Sequence, residues 1–336
     1  LSSDIGRIGL LERENAAIMN ACLRDLAAKT VEAFRGALVG VGIDAPFYLT
    51  QNDGTLMSAE TAEKYPVLTF ASGPTNSMRG AAFLSGIKDA IVIDVGGTTT
   101  DVGALHAGFP REAGAAVDVG GVRTNFRMPD VFSIGLGGGS HVTFGGGAAS
   151  VGPQSVGYRL PQAGLVFGGE TLTATDIAVA AGKASIGDPA HVADLPREQI
   201  DAALETMADM TERAVERMRL TPEPIPVIVV GGGSILIPDT IADLSVLRPD
   251  HYAVANAVGA AIAQISGEVD RVFSLADMPR DEAVAQAKKE AIERAIEAGA
   301  DPESTQVVDV DDVPLAYLPG NATRIRVKAV GDLGGA

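Results

Sequence analysis

The sequence predicts an α/β protein built on a mixed sheet with flanking helices. Two short apolar runs, Ile91–Asp94 and Ile225–Val230, each end in a glycine loop, and segments of helical period are interleaved with them. After Asp94 the chain turns back as a hairpin, whereas a purely parallel dinucleotide-binding sheet would run from strand directly into helix.

The elements follow in order. Residues 11–41 read as one long helix, because Leu11, Ile18, Cys22, Leu26, Val31, Phe34 and Leu38 keep a roughly helical period. Gly36, Gly40 and Gly42 loosen and then end it. Cys22, the one cysteine, lies in this amphipathic pattern and is expected to be a buried thiol; a single cysteine excludes disulfides within the chain. Ala45–Thr50 reads as a strand before the turn signal Asn52-Asp53-Gly54, and Val67–Phe70 as a second short strand. Ser72-Gly73-Pro74 should open a helix over Thr75–Ser85. Asp101–Ala107 is the hairpin partner of Ile91–Asp94, and residues 117–147 read as β structure and glycine loop. Thr173 is a candidate N-cap for a helix to Ala181. Arg197–Arg219 is a long charged helix, broken by Pro222, Pro224 and Pro226. Ala253–Ile265 is a helix of small residues, and residues 280–299 form a charged surface helix ending at Gly299. Alternation through 306–310 and 322–330, with Pro319-Gly320-Asn321 between, reads as a small β unit.

Composition bounds the function. Of 336 residues 46% are hydrophobic and 21% charged, as in packed globular proteins, so disorder is not expected. A net charge of −17 with no basic stripe disfavours nucleic acid and anionic membrane surfaces. Nucleotides remain admissible, because glycine loops and helix N-termini bind phosphate without basic side chains. His106, His141, His191 and His251 are far apart and lack metal-ligand spacing. The longest apolar stretches, 225–237 and 252–265, are shorter than the ~20 residues that span a bilayer. A cytoplasmic protein is expected. The chain starts at Leu1 on a segment that reads like the middle of a domain, so a longer parent protein is expected as well.

Three segments carry chemistry. In IVIDVGGTTTDV, residues 91–102, an apolar run delivers Asp94 to a sheet edge. Gly96 and Gly97 free the backbone N–H groups of the turn to point at a phosphate, Thr98, Thr99 and Thr100 add hydroxyls, and Asp101 follows on the return strand. Two carboxylates beside such a cradle suit Mg²⁺, which keeps several waters and takes one or two carboxylates. The plainer alternative is a tight glycine hairpin whose aspartates satisfy its own amides. In VIVVGGGSILIP, residues 227–238, Gly231, Gly232 and Gly233 let the chain lie flat against a planar or charged group, and Ser234 can cap the next turn. An ordinary strand-to-helix turn would look similar. In residues 253–267, Ala257, Gly259, Ala260 and Ala261 make a thin helix that can approach a neighbour closely; a buried helix with no further role is the alternative.

In this order the three segments resemble the second phosphate loop, the adenosine loop and the second connecting helix of the actin, sugar-kinase and heat-shock ATPase superfamily. The helix opened by Ser72-Gly73-Pro74 resembles the first connecting helix. More narrowly, SSDIGRIGLLERENAAIMNACL, LTFASGPTNSMRGAA, IVIDVGGTTTDVG, IGLGGGSHV, VGPQSVGY and GGETLTATDIAVAAG resemble the hydantoinase A/5-oxoprolinase family, from Ser2 to about Leu333. The resemblance implies ribonuclease-H-like lobes with ATP in the cleft between them. Residues 1–86 would be the remainder of the first lobe, 87–275 the second lobe with both loops, and 276–336 a C-terminal helix plus a small β unit. It also implies ATP-dependent opening of a cyclic amide such as hydantoin or 5-oxoproline. Some relatives carboxylate ketones instead, and a non-catalytic ATPase-like regulator is a third expectation.

The resemblance further implies roles. Asp94 would hold the water shell of Mg²⁺, and Gly96, Gly97, Thr98 and Thr99 would donate to the β- and γ-phosphates. Asp101 would orient metal or water, or act as base. Gly231, Gly232, Gly233 and Ser234 would lie against adenosine, and Asn52, Asp53, Ser72 and Gly73 are substrate-side candidates. Gly135–Ser140 with His141 is either a cleft-lining loop or a tight turn between strands. A hydantoinase B-like second subunit and a homo-oligomer are the partners implied. The superfamily's first phosphate loop is not among these residues, so this stretch alone is expected to bind nucleotide weakly and to turn none over. Gly157-Tyr158-Arg159-Leu160-Pro161 stands where larger relatives carry a Pro-Gly-Pro-rich stretch, which resembles a shorter subgroup.

Overall fold

The computed structural model describes residues 2, 5–7, 9–114, 116–146, 148–221, 223–276, 278–315, 318 and 320–334. Pro222 and Pro319, expected in a helix break and a tail turn, lie outside the described residues. The chain forms two compact units. The first comprises Leu1–Ser72, Ala113–Met128 and Ile262–Ala336, and the second Gly73–Glu112 and Pro129–Ala261.

In the second unit, five strands set the architecture. Val131–Ile134, Thr100–His106 and Ala90–Val95 are neighbours in antiparallel pairing. Val227–Val230 joins Ala90–Val95 in parallel, and Leu244–Leu247 joins Val227–Val230 in parallel. Three meandering antiparallel strands followed by two parallel ones give the mixed ribonuclease-H-like sheet. Both faces are covered, which is why the central strands read as unbroken apolar runs. Ile91, Ile93, Val95, Val227 and Val229 pack against Ile200, Ala203, Met207, Ala214 and Val215 of helix Arg197–Met218. Val92, Ile228 and Val230 face the other way, onto Met78 and Ala81 of helix Ser72–Ser85 and onto Ala255.

That second layer is thin because its helices touch almost backbone to backbone. A Cβ at Gly80 would lie 1.9 Å from the carbonyl oxygen of Ala255, and one at Gly259 would lie 1.8 Å from that of Asn76. The small residues of the 253–267 segment thus serve close helix packing. The helix itself spans only Ala255–Ala261, not Ala253–Ile265. Ile265 instead starts a strand, because Ile265–Phe273 alternates with period two and pairs along its length with Thr323–Gly331.

The first unit has a five-stranded sheet in the order Tyr48–Thr50, Leu56–Ser58, Ile265–Phe273, Thr323–Gly331, Gln306–Pro314. Helix Arg280–Glu297 lies on it through an alanine stripe, Ala283, Ala287, Ala291 and Ala295. A Cβ at Gly267 would meet the Ala291 carbonyl oxygen at 2.2 Å, so the glycine lets the helix settle onto the strand. The long helix runs Leu11–Gly40, as its period predicts, but only Ala16, Asn20 and Val31 are buried among its described residues. Cys22 is therefore exposed, not buried. Pro66–Thr69 is a 3₁₀ turn, not the strand expected over Val67–Phe70: Pro66 sets the first φ and the turn closes over it. Among the described residues, no helix is long and apolar enough to cross a membrane.

Candidate functional site

Strand period and register assemble the site. Asp94 follows Val92 on the face of the sheet that carries helix Ser72–Ser85, and Asp101 lies on that face with Leu105. The antiparallel register sets Asp94 directly opposite Asp101, and the next pairing sets Asp101 opposite Ser133. Two carboxylates so paired repel each other, an arrangement that like-charged cross-strand neighbours normally avoid.

Their protonation follows from the surroundings. Burial pushes the carboxyl of Asp94 above its usual range; a hydrogen bond from Ser77 opposes this and the charge of Asp101 adds to it. Burial likewise raises Asp101, opposed by the Ser133 hydroxyl, which donates to its Oδ1. No cationic side chain contributes to either shift. Asn256 explains why Ser77 can donate. Its Nδ2 gives one hydrogen bond to the Gly73 carbonyl at 2.8 Å and one to Ser77 Oγ at 3.2 Å, so the hydroxyl proton of Ser77 is left for Asp94.

The turn after Asp94 is closed by Gly96 N–H donating to Thr99 O at 2.9 Å. The amides of Gly97, Thr98 and Thr99 have no hydrogen bond to another described residue, and all three residues are exposed. The second glycine loop is seated on the same strand end. Gly233 N–H donates to Val95 O at 2.8 Å. At Gly231, whose φ is +88°, a Cβ would lie 2.4 Å from Val95 O and 2.5 Å from Asp94 Oδ1. The Asp94 carboxylate thus fills the place a side chain at residue 231 would need. At Gly97 and Gly232, by contrast, a Cβ would meet nothing within 4 Å, so both positions border open space. Ser234 does not cap the following turn: Gly233 stands at the cap position, and Ser234, buried within the 3₁₀ turn, has a hydroxyl with no hydrogen-bond partner among the described residues.

The second unit therefore brings together Asp94, Asp101, Gly96–Thr99 and Gly231–Ser234. Of the other candidates, Gly73 belongs to the same unit and is tied through Asn256 to Ser77, whereas Asn52, Asp53 and Ser72 belong to the first unit. Asn52 and Asp53 are buried in the first unit. Asp53 Oδ2 is 2.7 Å from Lys328 Nζ and 3.3 Å from Arg127, and its Oδ1 accepts from the Thr55 hydroxyl at 2.6 Å. Burial alone would raise its carboxyl, but Arg127 and Lys328 hold it well below the usual carboxylate range. Ser72 and Gly73 form the first turn of helix Ser72–Ser85, where both are half-buried. Nothing in the local sequence singles out Ser77, Ser133 or Asn256; Ser133 emerges only once the strand register is in hand. Among the described residues there is no cluster of three or more His, Cys, Asp or Glu groups able to cage a metal.

The strand order defines an α/β protein of the ribonuclease-H-like class. The chain belongs to the hydantoinase/oxoprolinase family, whose profile matches residues 13–186. It is 29% identical over 185 residues to the acetophenone carboxylase gamma subunit of Aromatoleum aromaticum (strain DSM 19018 / LMG 30748 / EbN1), covering 54% of this chain and 25% of that protein. Its fold is similar to that of acetone carboxylase in a nucleotide-free structure, with a TM-score of 0.67 and 18% identity over 99% of this chain and 59% of the other. It is similar also to the ATP-dependent caprolactamase from Pseudomonas jessenii, with a TM-score of 0.67 and 16% identity over 98% of this chain and 60% of the other. The chain thus spans a quarter of that curated relative and about three fifths of each of the two solved chains.

Proposed function

We propose that this chain carries the phosphate-binding unit of an ATP-dependent enzyme that opens a cyclic amide of the hydantoin or 5-oxoproline type. The observation that carries the reading is the facing pair Asp94 and Asp101 beside the unused amides of Gly97, Thr98 and Thr99. Amides in a turn are phosphate donors. Two uncompensated carboxylates are a donor set that fits a hydrated Mg²⁺, which would neutralise phosphate charge when bound. Asp94 would hold its water shell, and Asp101 would orient metal or water or serve as base. Gly231, Gly232, Gly233 and Ser234 would line the adenosine, with Gly232 the exposed member.

The chemistry is consistent with such a site. A ring amide is a poor electrophile. Its oxygen attacks the γ-phosphorus of ATP and ADP leaves. Water then adds to the activated carbon, the ring C–N bond breaks as nitrogen takes a proton, and hydrolysis of the acyl phosphate releases inorganic phosphate. Phosphoryl transfer of this kind needs mainly positioning and charge neutralisation. Reliance on ATP supports a cytoplasmic setting. A hydantoinase B-like second subunit is the partner we favour, since the acetophenone carboxylase relative is itself a subunit.

The same relative favours a second reading, ATP-dependent carboxylation of a ketone. Phosphate release by the full-length protein separates the two. With Mg·ATP it should be stimulated by a hydantoin or 5-oxoproline and be indifferent to bicarbonate. Stimulation only by a ketone with bicarbonate would establish the carboxylase, and slow hydrolysis indifferent to both would leave the regulator.

A further inference from the structure

We infer that the glycine loop Gly135–Ser140 is the positioning element of the phosphate turn, aiming its amides by gripping the carbonyls of the same peptide units. The inference rests on the proposed phosphate role of the Gly96–Thr99 turn, but its geometry stands independently of that role.

A peptide unit is planar and trans, so its C=O and N–H point in opposite directions. The carbonyl of Gly96 shares a unit with the N–H of Gly97, and the carbonyl of Gly97 shares one with the N–H of Thr98. Both carbonyls are held from one side. Gly138 N–H donates to Gly96 O at 3.0 Å, and Gly139 N–H donates to Gly97 O at 2.7 Å. Ser155 Oγ adds a second donor to Gly97 O at 3.3 Å. With the two oxygens drawn onto the 135–140 loop, the N–H groups of Gly97 and Thr98 must face away from it, where no other described residue takes them. Donation to a carbonyl also polarises its peptide unit and strengthens the opposite N–H as a donor.

The loop is itself fixed from beneath. Thr175 donates to Gly138 O from its backbone N–H at 3.0 Å and from its hydroxyl at 2.8 Å. The Thr100 hydroxyl donates to Leu136 O at 2.7 Å, and Gly137 N–H donates to Ser140 Oγ at 2.9 Å. Contact with the turn explains two of the loop's glycines: a Cβ at Gly137 would lie 2.5 Å from Thr98 N, and one at Gly139 would lie 3.0 Å from Gly97 O.

Hydrogen exchange of the full-length, nucleotide-free protein, read at the amides of Gly138 and Gly139 that grip the turn, tests the brace directly. Ser155→Ala removes one grip on Gly97 O, and Gly137→Ala pushes against Thr98. Each should speed exchange of these two amides by about tenfold, the factor that ~1.4 kcal/mol of local opening gives, while the strand Val227–Val230 exchanges as before. Ser155→Thr should restore the wild-type rate. In parallel, the ratio of ATP to AMP affinity should fall about tenfold in Ser155→Ala, because AMP lacks the outer phosphates. Unchanged exchange in both variants, each folded by its thermal melt, would overturn the inference. If wild type binds no ATP, the proposed function fails while the exchange arm still judges the brace. If Gly137→Ala does not fold, Ser155→Ala decides alone.

Discussion

Replacing Gly231 with alanine probes the junction of the two glycine loops. The residue has φ of +88°, which an L side chain resists by about 1–2 kcal/mol. The new Cβ would also stand 2.4 Å from Val95 O, 2.5 Å from Asp94 Oδ1 and 2.9 Å from Val95 N. Backbone cannot swing aside as a flexible side chain can, so relief needs a shift of the strand end, at about 1–3 kcal/mol for an overpacked site. The sum is about 2–5 kcal/mol. At about 2–4 °C per kcal/mol for a unit of this size, Gly231→Ala should lower the melting temperature by roughly 4–20 °C. Gly232→Ala is the control: no heavy atom lies within 4 Å of its Cβ position, so its melt should stay within about 0.5 kcal/mol of wild type. Calorimetry of the three proteins gives the answer. Equal melts for Gly231→Ala and Gly232→Ala would refute the close approach of Asp94 to the second loop.

Asp53→Asn should destabilise the first unit by about 3 kcal/mol in denaturant titrations, because it removes the buried carboxylate that pairs with Lys328 and shares Arg127 with Glu268; adding Lys328→Met should recover part of the loss. Asp94 titrates above its unfolded value of 3.8, so folding favours its protonated form, and the ionised form weighs against the fold as pH rises through the folded pKa. Asp94→Asn should therefore stabilise the nucleotide-free protein at neutral pH, and the gain should vanish below pH 3.8, where wild type is protonated in both states. Thr173→Ala removes a capping box with Asp176 and should cost about 1 kcal/mol by chemical denaturation.

Much of the second unit was legible because its strands are buried on both faces, and such strands leave unbroken apolar runs that end where glycine begins. The hairpin after Asp94 announced a mixed sheet, since no helix intervenes before the return strand. Ile265–Phe273 was hidden: its Ile265 follows directly on a run of small helical residues, and its alternation with Ser266, Glu268 and Asp270 emerges only against its partner strand. Cys22 and the Val67–Phe70 segment show two limits. A helical period tells which residues share a stripe but not how much of that stripe is covered, and an apolar run after proline can close into a turn. The facing of Asp94 and Asp101 depends on hairpin register, and the contact between the 135–140 loop and the phosphate turn on tertiary packing; neither leaves a mark in local sequence.

The most direct test of the central claim is calorimetric titration of Mg·ATP into the full-length protein, its Asp94→Ala and its Asp101→Ala variants, with all three shown to be folded. Wild type should bind in a Mg-dependent manner, and binding should weaken at least about tenfold in each variant, a loss of ~1.4 kcal/mol or more. Equal affinity in all three proteins would contradict it.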